Sequence, residues 1–165
     1  MTAAARVLRA LTTRPCRRDW VEFAGIFILV GAVAAPIGLA SDLLKLAPRS
    51  PVEILKTAAI ALIIPALGEE IPFRGLLVPS RDEAPSAWAA TLGSTAVFTA
   101  WHGLETLWQP QHRALFLRSD FLAWAAWLGF WCAILRRRSG SLWTPVALHW
   151  STVVIWIGWL GGPSF

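Results

Sequence analysis

Five ionisable side chains sit where the surrounding sequence is apolar. Glu69 and Glu70 end one hydrophobic run, with Arg74 four residues beyond Glu70; His102 lies near the end of the next run, four residues after Phe98; His149 falls in the middle of a later run. An ionisable group at membrane depth costs at least ~2.5 kcal/mol, so each is expected to face a cavity or a partner and not lipid. On a helix, Glu70 and Arg74 form an i,i+4 ion pair, while Glu69 points about 100° away and has no local cation. Adjacent carboxylates in different environments differ in proton affinity, the usual way a base is separated from a structural partner. Two imidazoles on other segments mean that three separate spans each contribute a titratable group, a constellation stronger than its members. Pro72 is expected to remove a backbone donor and kink the helix here, opening room for solvent. Taken singly, each histidine also fits a hydrogen bond between helices, and the glutamates fit a solvated helix end.

The elements that must carry these groups follow from composition. The 165 residues are 56% hydrophobic and 15% charged, with 11 Trp, 8 Phe and no Tyr, and the mean hydropathy is +0.54. This excludes a disordered, collagenous or disulfide-framed chain and points to a membrane protein. The two cysteines, Cys16 and Cys132, make neither a disulfide framework nor a metal-binding Cys-x-x-Cys. The net charge of +5 comes without a basic face interleaved with aromatics, so no nucleic-acid partner is expected.

A hydrocarbon core of about 30 Å takes roughly 20 apolar residues per helix. Five runs qualify, near residues 20–40, 51–67, 86–104, 121–135 and 142–160. The fold expected is an all-α, polytopic transmembrane helix bundle of about five spans with the site inside it, comprising a basic cytoplasmic tail over residues 1–19 and a single membrane-embedded domain over 20–165. Ten of the 15 basic residues (Arg6, Arg9, Arg14, Arg17, Arg18, Arg74, Arg81, Arg136, Arg137 and Arg138) then fall on one side, which places the N-terminus in the cytoplasm and the C-terminus outside. A cleaved signal peptide ending near Ala32 or Ala34 is the rival reading of the first run, although that run is longer than an ordinary signal core. For Glu69 and His102 to meet at one depth, the second helix must continue past Pro72 to about Pro79.

These motifs resemble the CPBP family, the intramembrane glutamic endopeptidases that include type II CAAX prenyl endopeptidases and bacterial abortive-infection or bacteriocin-processing homologues. Glu69, Glu70 and Arg74 meet the Glu-Glu-x-x-x-Arg motif, and Phe98 and His102 meet Phe-x-x-x-His. Residues 136–149 resemble the approach to a third motif, His-x-x-x-Asn, in which His149 is present but Val153 stands where the family has Asn. The resemblance implies that Glu69, helped by His102, activates a water against a peptide bond while His149 holds the oxyanion, with Glu70, Arg74 and Phe98 in support and no cofactor or metal. Val153 has no donor, and Thr152, at i+3 from His149, is the expected substitute. The function expected is an intramembrane endopeptidase cutting a membrane-anchored or hydrophobic peptide near the cytoplasmic side. The alternatives are a non-catalytic membrane scaffold, immunity or secretion protein that keeps the fold, a zinc-dependent peptidase, and a proton or cation pathway. The partners expected are lipid and a peptide or protein substrate, in a bacterial inner membrane; the excess of Arg over Lys, with abundant Ala and Trp, fits a GC-rich bacterial genome.

Overall fold

The computed structural model describes residues 2–84 and 86–164. Each of the five apolar runs forms a helix, and no strand occurs among the described residues beyond an isolated bridge between Ala47 and Leu160. The long helices are α2 (Arg17–Ala40), α3 (Pro51–Leu76), α4 (Trp88–Glu105), α6 (Ser119–Ser139) and α7 (Trp143–Trp159); α1 (Ala3–Thr12) precedes them, and the short α5 (Arg113–Phe116) links α4 to α6. Helices α2 and α3 are long and apolar enough to cross a membrane.

Local chemistry explains the boundaries. Ser50, Pro51 and Glu53 start α3: the Glu53 carboxylate accepts from the Ser50 backbone N–H (3.0 Å), and the Ser50 hydroxyl accepts from Glu53 N–H (3.4 Å). Gly140, with φ of 68°, closes α6 in the left-handed conformation that glycine adopts without penalty. Arg49 bonds the carbonyls of Ile157 (2.9 Å) and Gly162 (3.0 Å), placing a cation at the C-terminal end of α7.

Helix α3 does reach beyond Pro72, to Leu76, but not as a regular α-helix. Its backbone leaves helical geometry at Ile64 (φ −129°, ψ 107°), and widened π-type turns flank a single regular turn at Gly68–Glu70. The break expected at Pro72 therefore lies at Ile64, because a residue that precedes proline is driven out of the α region. Pro72 is accommodated in the second widened turn, where the Ser94 hydroxyl of α4 donates to the Phe73 carbonyl (2.7 Å).

Many large apolar side chains face outward, while several charged ones are buried. Ile28 and Leu55 are 69% and 72% exposed, whereas Glu70, Arg74 and Arg136 are fully buried, a distribution suited to hydrocarbon surroundings. Ile26 and Val30 of α2 pack on Leu128, Cys132 and Leu135 of α6 and Leu148 of α7, while Ala61 of α3 meets Val153, Val154 and Ile157 of α7. The first residues, expected as a basic tail, contain α1, which docks by Ala10: this residue is buried beside Ala66, Leu142 and Val146, and its carbonyl accepts from Leu142 N–H (2.9 Å).

Candidate active site

The regular turn of α3 turns both glutamates inward. Glu70 is fully buried; its Oε1 accepts from Arg74 Nη1 at 3.0 Å and lies 2.9 Å from His149 Nδ1. A carboxylate oxygen facing the ring makes Nδ1 of His149 the donor if Glu70 is ionised. The other ring nitrogen, Nε2, lies 3.8 Å from Glu69 Oε2. His149 is thus flanked by a carboxylate at each nitrogen, and Glu70 by two donors. The i,i+4 pair read from the sequence is present and has no solvent contact.

Phe98 holds the three motifs together. Its ring lies under the Arg74 guanidinium at 4.0 Å, meets His149 edge-on at 5.7 Å and packs against His102 at 4.7 Å. The Arg74 placement is a cation–π contact out of water. The Phe98 carbonyl also accepts from His102 Nδ1 at 2.9 Å. Because a carbonyl can only accept, the proton of a neutral His102 sits on Nδ1, leaving Nε2 as an acceptor.

Glu69, His102 and His149, from three helices, line one cavity of about 390 Å³. Its walls are otherwise mostly apolar (Ile64, Phe116, Phe121, Val153 and Trp156), and its rim is polar, with Glu105, Gln109, Gln111 and His112. Val153 therefore lines the cavity beside His149, as its place in the third motif implies, but with a hydrocarbon surface.

Thr152 is placed differently from expectation. Its hydroxyl donates to the Leu148 carbonyl (2.8 Å), which leaves the oxygen only as an acceptor. It lines a smaller space of about 50 Å³ next to Phe98, His102 and His149, not the cavity that holds Glu69. Trp150 likewise spends its indole N–H on the Ala58 carbonyl (2.7 Å). The indole of Trp101 makes no hydrogen bond of good geometry and lies beside the carboxylates of Glu69 and Glu105.

Two residues of the site escaped the sequence reading. Glu105 is at i+3 from His102, hence on nearly the same face of α4, one residue past the apolar run; that spacing could have found it. Gly129 of α6 faces the ion pair, and a Cβ there would lie 2.8 Å from both Arg74 Nη2 and Phe98 Cδ1. No local sequence signal marks that closeness. Among the described residues, no group of three or more His, Cys, Asp or Glu side chains is arranged to hold a metal ion.

Residues 51–155 match the sequence model of the family described as Rce1-like, type II CAAX prenyl endopeptidase. No curated protein and no solved structure gives a significant match.

Proposed function

Because the chain belongs to the Rce1-like family of type II CAAX prenyl endopeptidases, a family of membrane proteases, we propose that it hydrolyses a peptide bond of a membrane-anchored or hydrophobic substrate by a glutamate-activated water. Five helices, α2, α3, α4, α6 and α7, cross the bilayer in this reading, with the N-terminus in the cytoplasm of a bacterial inner membrane. The observation that carries the proposal is the convergence of Glu69, His102 and His149 on one cavity with apolar walls.

Glu69 is the general base. It takes one proton from a water held between it and His102 Nε2, and the water oxygen attacks the substrate carbonyl carbon. Such a base must come within about 3 Å of the attacking water. The resulting oxyanion is held by His149 Nε2, which donates when the ring is protonated. Collapse of the tetrahedral species breaks the C–N bond, and the proton on Glu69 passes to the leaving amine. Glu70 and Arg74 do not reach the cavity; they fix the His149 ring. A single well-placed oxyanion donor is worth ~3–4 kcal/mol of barrier, so Val153 costs the enzyme a second donor and leaves His149 to carry the charge.

The test compares proteomes of intact membranes from wild-type cells and cells carrying Glu69→Gln. Peptides cut only in the wild type, with the cut persisting in chelator, support the mechanism; identical peptide ends in both strains refute it. Val153 is also the observation that favours a second reading, a non-catalytic member retained for interaction. That reading requires a variant lacking Glu69, His102 and His149 together to keep the cellular phenotype.

A further inference from the structure

Charge within the cavity is one-sided. Two carboxylates line it, Glu69 from α3 and Glu105 from the end of α4, and no Lys or Arg stands among the described lining residues. The charged group that acts on Glu105 is Glu69, a like charge, and the two carboxylates lie beside a single indole N–H, that of Trp101. Oε2 of Glu69 is buried without a hydrogen-bond partner, so the cavity holds more acceptor capacity than its own donors fill.

Three effects add at Glu105. It closes α4, and the C-terminal end of a helix carries the negative pole of the backbone dipole, which favours cations. Its carbonyl accepts from the N–H groups of Trp108 (3.1 Å) and Gln109 (2.8 Å), a turn after which Gln109 and Gln111 also line the cavity and add neutral acceptors. The apolar walls, among them Phe116, Phe121 and Val153, screen charge less than open water does. A charge removed from water without a partner is costly. A cation arriving at Glu105 relieves that cost, and an anion compounds it.

Resting on the peptidase reading above, we propose that Glu105 is the residue by which the site selects its substrate, binding the ammonium or guanidinium group of a Lys or Arg side chain near the bond to be cut. Glu105 stands three residues along α4 from His102, a rise of about 4.5 Å. The cation therefore falls within roughly one or two residues of the bond that the water between Glu69 and His102 attacks. Acidic segments are turned away by the same carboxylate, since discrimination comes from repulsion of the wrong partner as well as attraction of the right one.

Peptide binding tests this apart from cutting. The background is Glu69→Gln, which removes the proposed base and leaves Glu105 as the one carboxylate among the described lining residues. Two short acetylated peptide amides of Leu and Ala, identical but for a central Lys or Glu and each carrying a fluorophore, are titrated with the purified full chain in zwitterionic micelles and followed by polarisation. Hydrogen bonds to a charged group are worth about ten- to a hundredfold in affinity, and the Lys peptide is expected to bind tighter by that factor. The preference disappears when Glu105→Gln is added and inverts with Glu105→Lys; the Gln variant, equal in size to the native residue, carries the test if the Lys variant does not accumulate. A preference that survives Glu105→Gln, a preference for the Glu peptide in the background itself, or binding of neither peptide overturns the proposal. The peptidase reading fails separately. Glu105-dependent binding without any Glu69-dependent cut in membranes removes the protease and keeps the cation site, whereas cut ends with no Lys or Arg nearby, unchanged by Glu105→Lys, remove the recognition and keep the protease.

Discussion

Replacing Arg74 by methionine probes the interaction on which the site geometry depends most. The guanidinium is fully buried, pairs with a fully buried Glu70 at 3.0 Å and covers the Phe98 ring at 4.0 Å. Arg74→Met keeps the stem volume but strands the Glu70 carboxylate with His149 Nδ1 as its remaining donor. Removing one member of a buried ion pair costs about 3–5 kcal/mol, because the other charge is left uncompensated, whereas replacing both members with neutral groups is often close to neutral. The double variant Arg74→Met with Glu70→Gln should then recover most of that loss. With typical unfolding free energies of roughly 5–15 kcal/mol, the single change consumes a large fraction of the stability. Unfolding in mixed micelles can be followed through the 11 tryptophans. Destabilisation of Arg74→Met by less than about 1 kcal/mol, or simple additivity in the double variant, would refute the buried pair, since contacting residues must show a coupling energy.

Two other outcomes are expected. Gly129→Ala should cost ~1–3 kcal/mol by overpacking against Arg74 and Phe98, while Gly25→Ala, which has open space around it, should be neutral or stabilising in the same unfolding assay. At the rim end, the side-chain hydrogen bonds from Arg118, foremost, and with Ser41 hold the Asp120 carboxyl well below the ordinary carboxylate range. Its folded pKa is thus depressed, so the contribution is complete above the unfolded value of about 4 and falls away as the medium becomes more acidic. Asp120→Asn should accordingly lower thermal stability by a constant increment between neutral and mildly acidic pH, with the gap narrowing only in strong acid; a gap that widens with acidity contradicts the assignment.

Much of the fold was legible because apolar runs in a membrane protein announce their helices directly, and the Glu70–Arg74 and Phe98–His102 pairs follow from helical spacing alone. The helix that carries the run at 121–135 continues to Ser139 through Arg136 and Arg137, both buried, an extension that hydropathy does not mark. The position of the break in α3 is not legible from proline alone: Pro65 and Pro72 both remove a donor, but only the first has its preceding residue in an extended conformation. Gly129 was illegible in principle, since its importance comes from side chains on α3 and α4. Thr152 had the right spacing, yet a hydroxyl within a helix has a carbonyl four residues back within reach, and a spacing argument cannot tell which partner wins.

The bond from His102 to the Phe98 carbonyl carries a kinetic corollary. With Nδ1 tied to the backbone of a fully buried residue, the imidazole cannot flip or relay a proton through itself towards the protein interior. It is a carrier with a single port: any proton gained at Nε2 must be surrendered at that same atom, to something standing in the same chamber. Turnover is thereby confined to reactions whose protons are borrowed and returned locally, which suits hydrolysis and is at odds with vectorial transfer of protons across the bilayer.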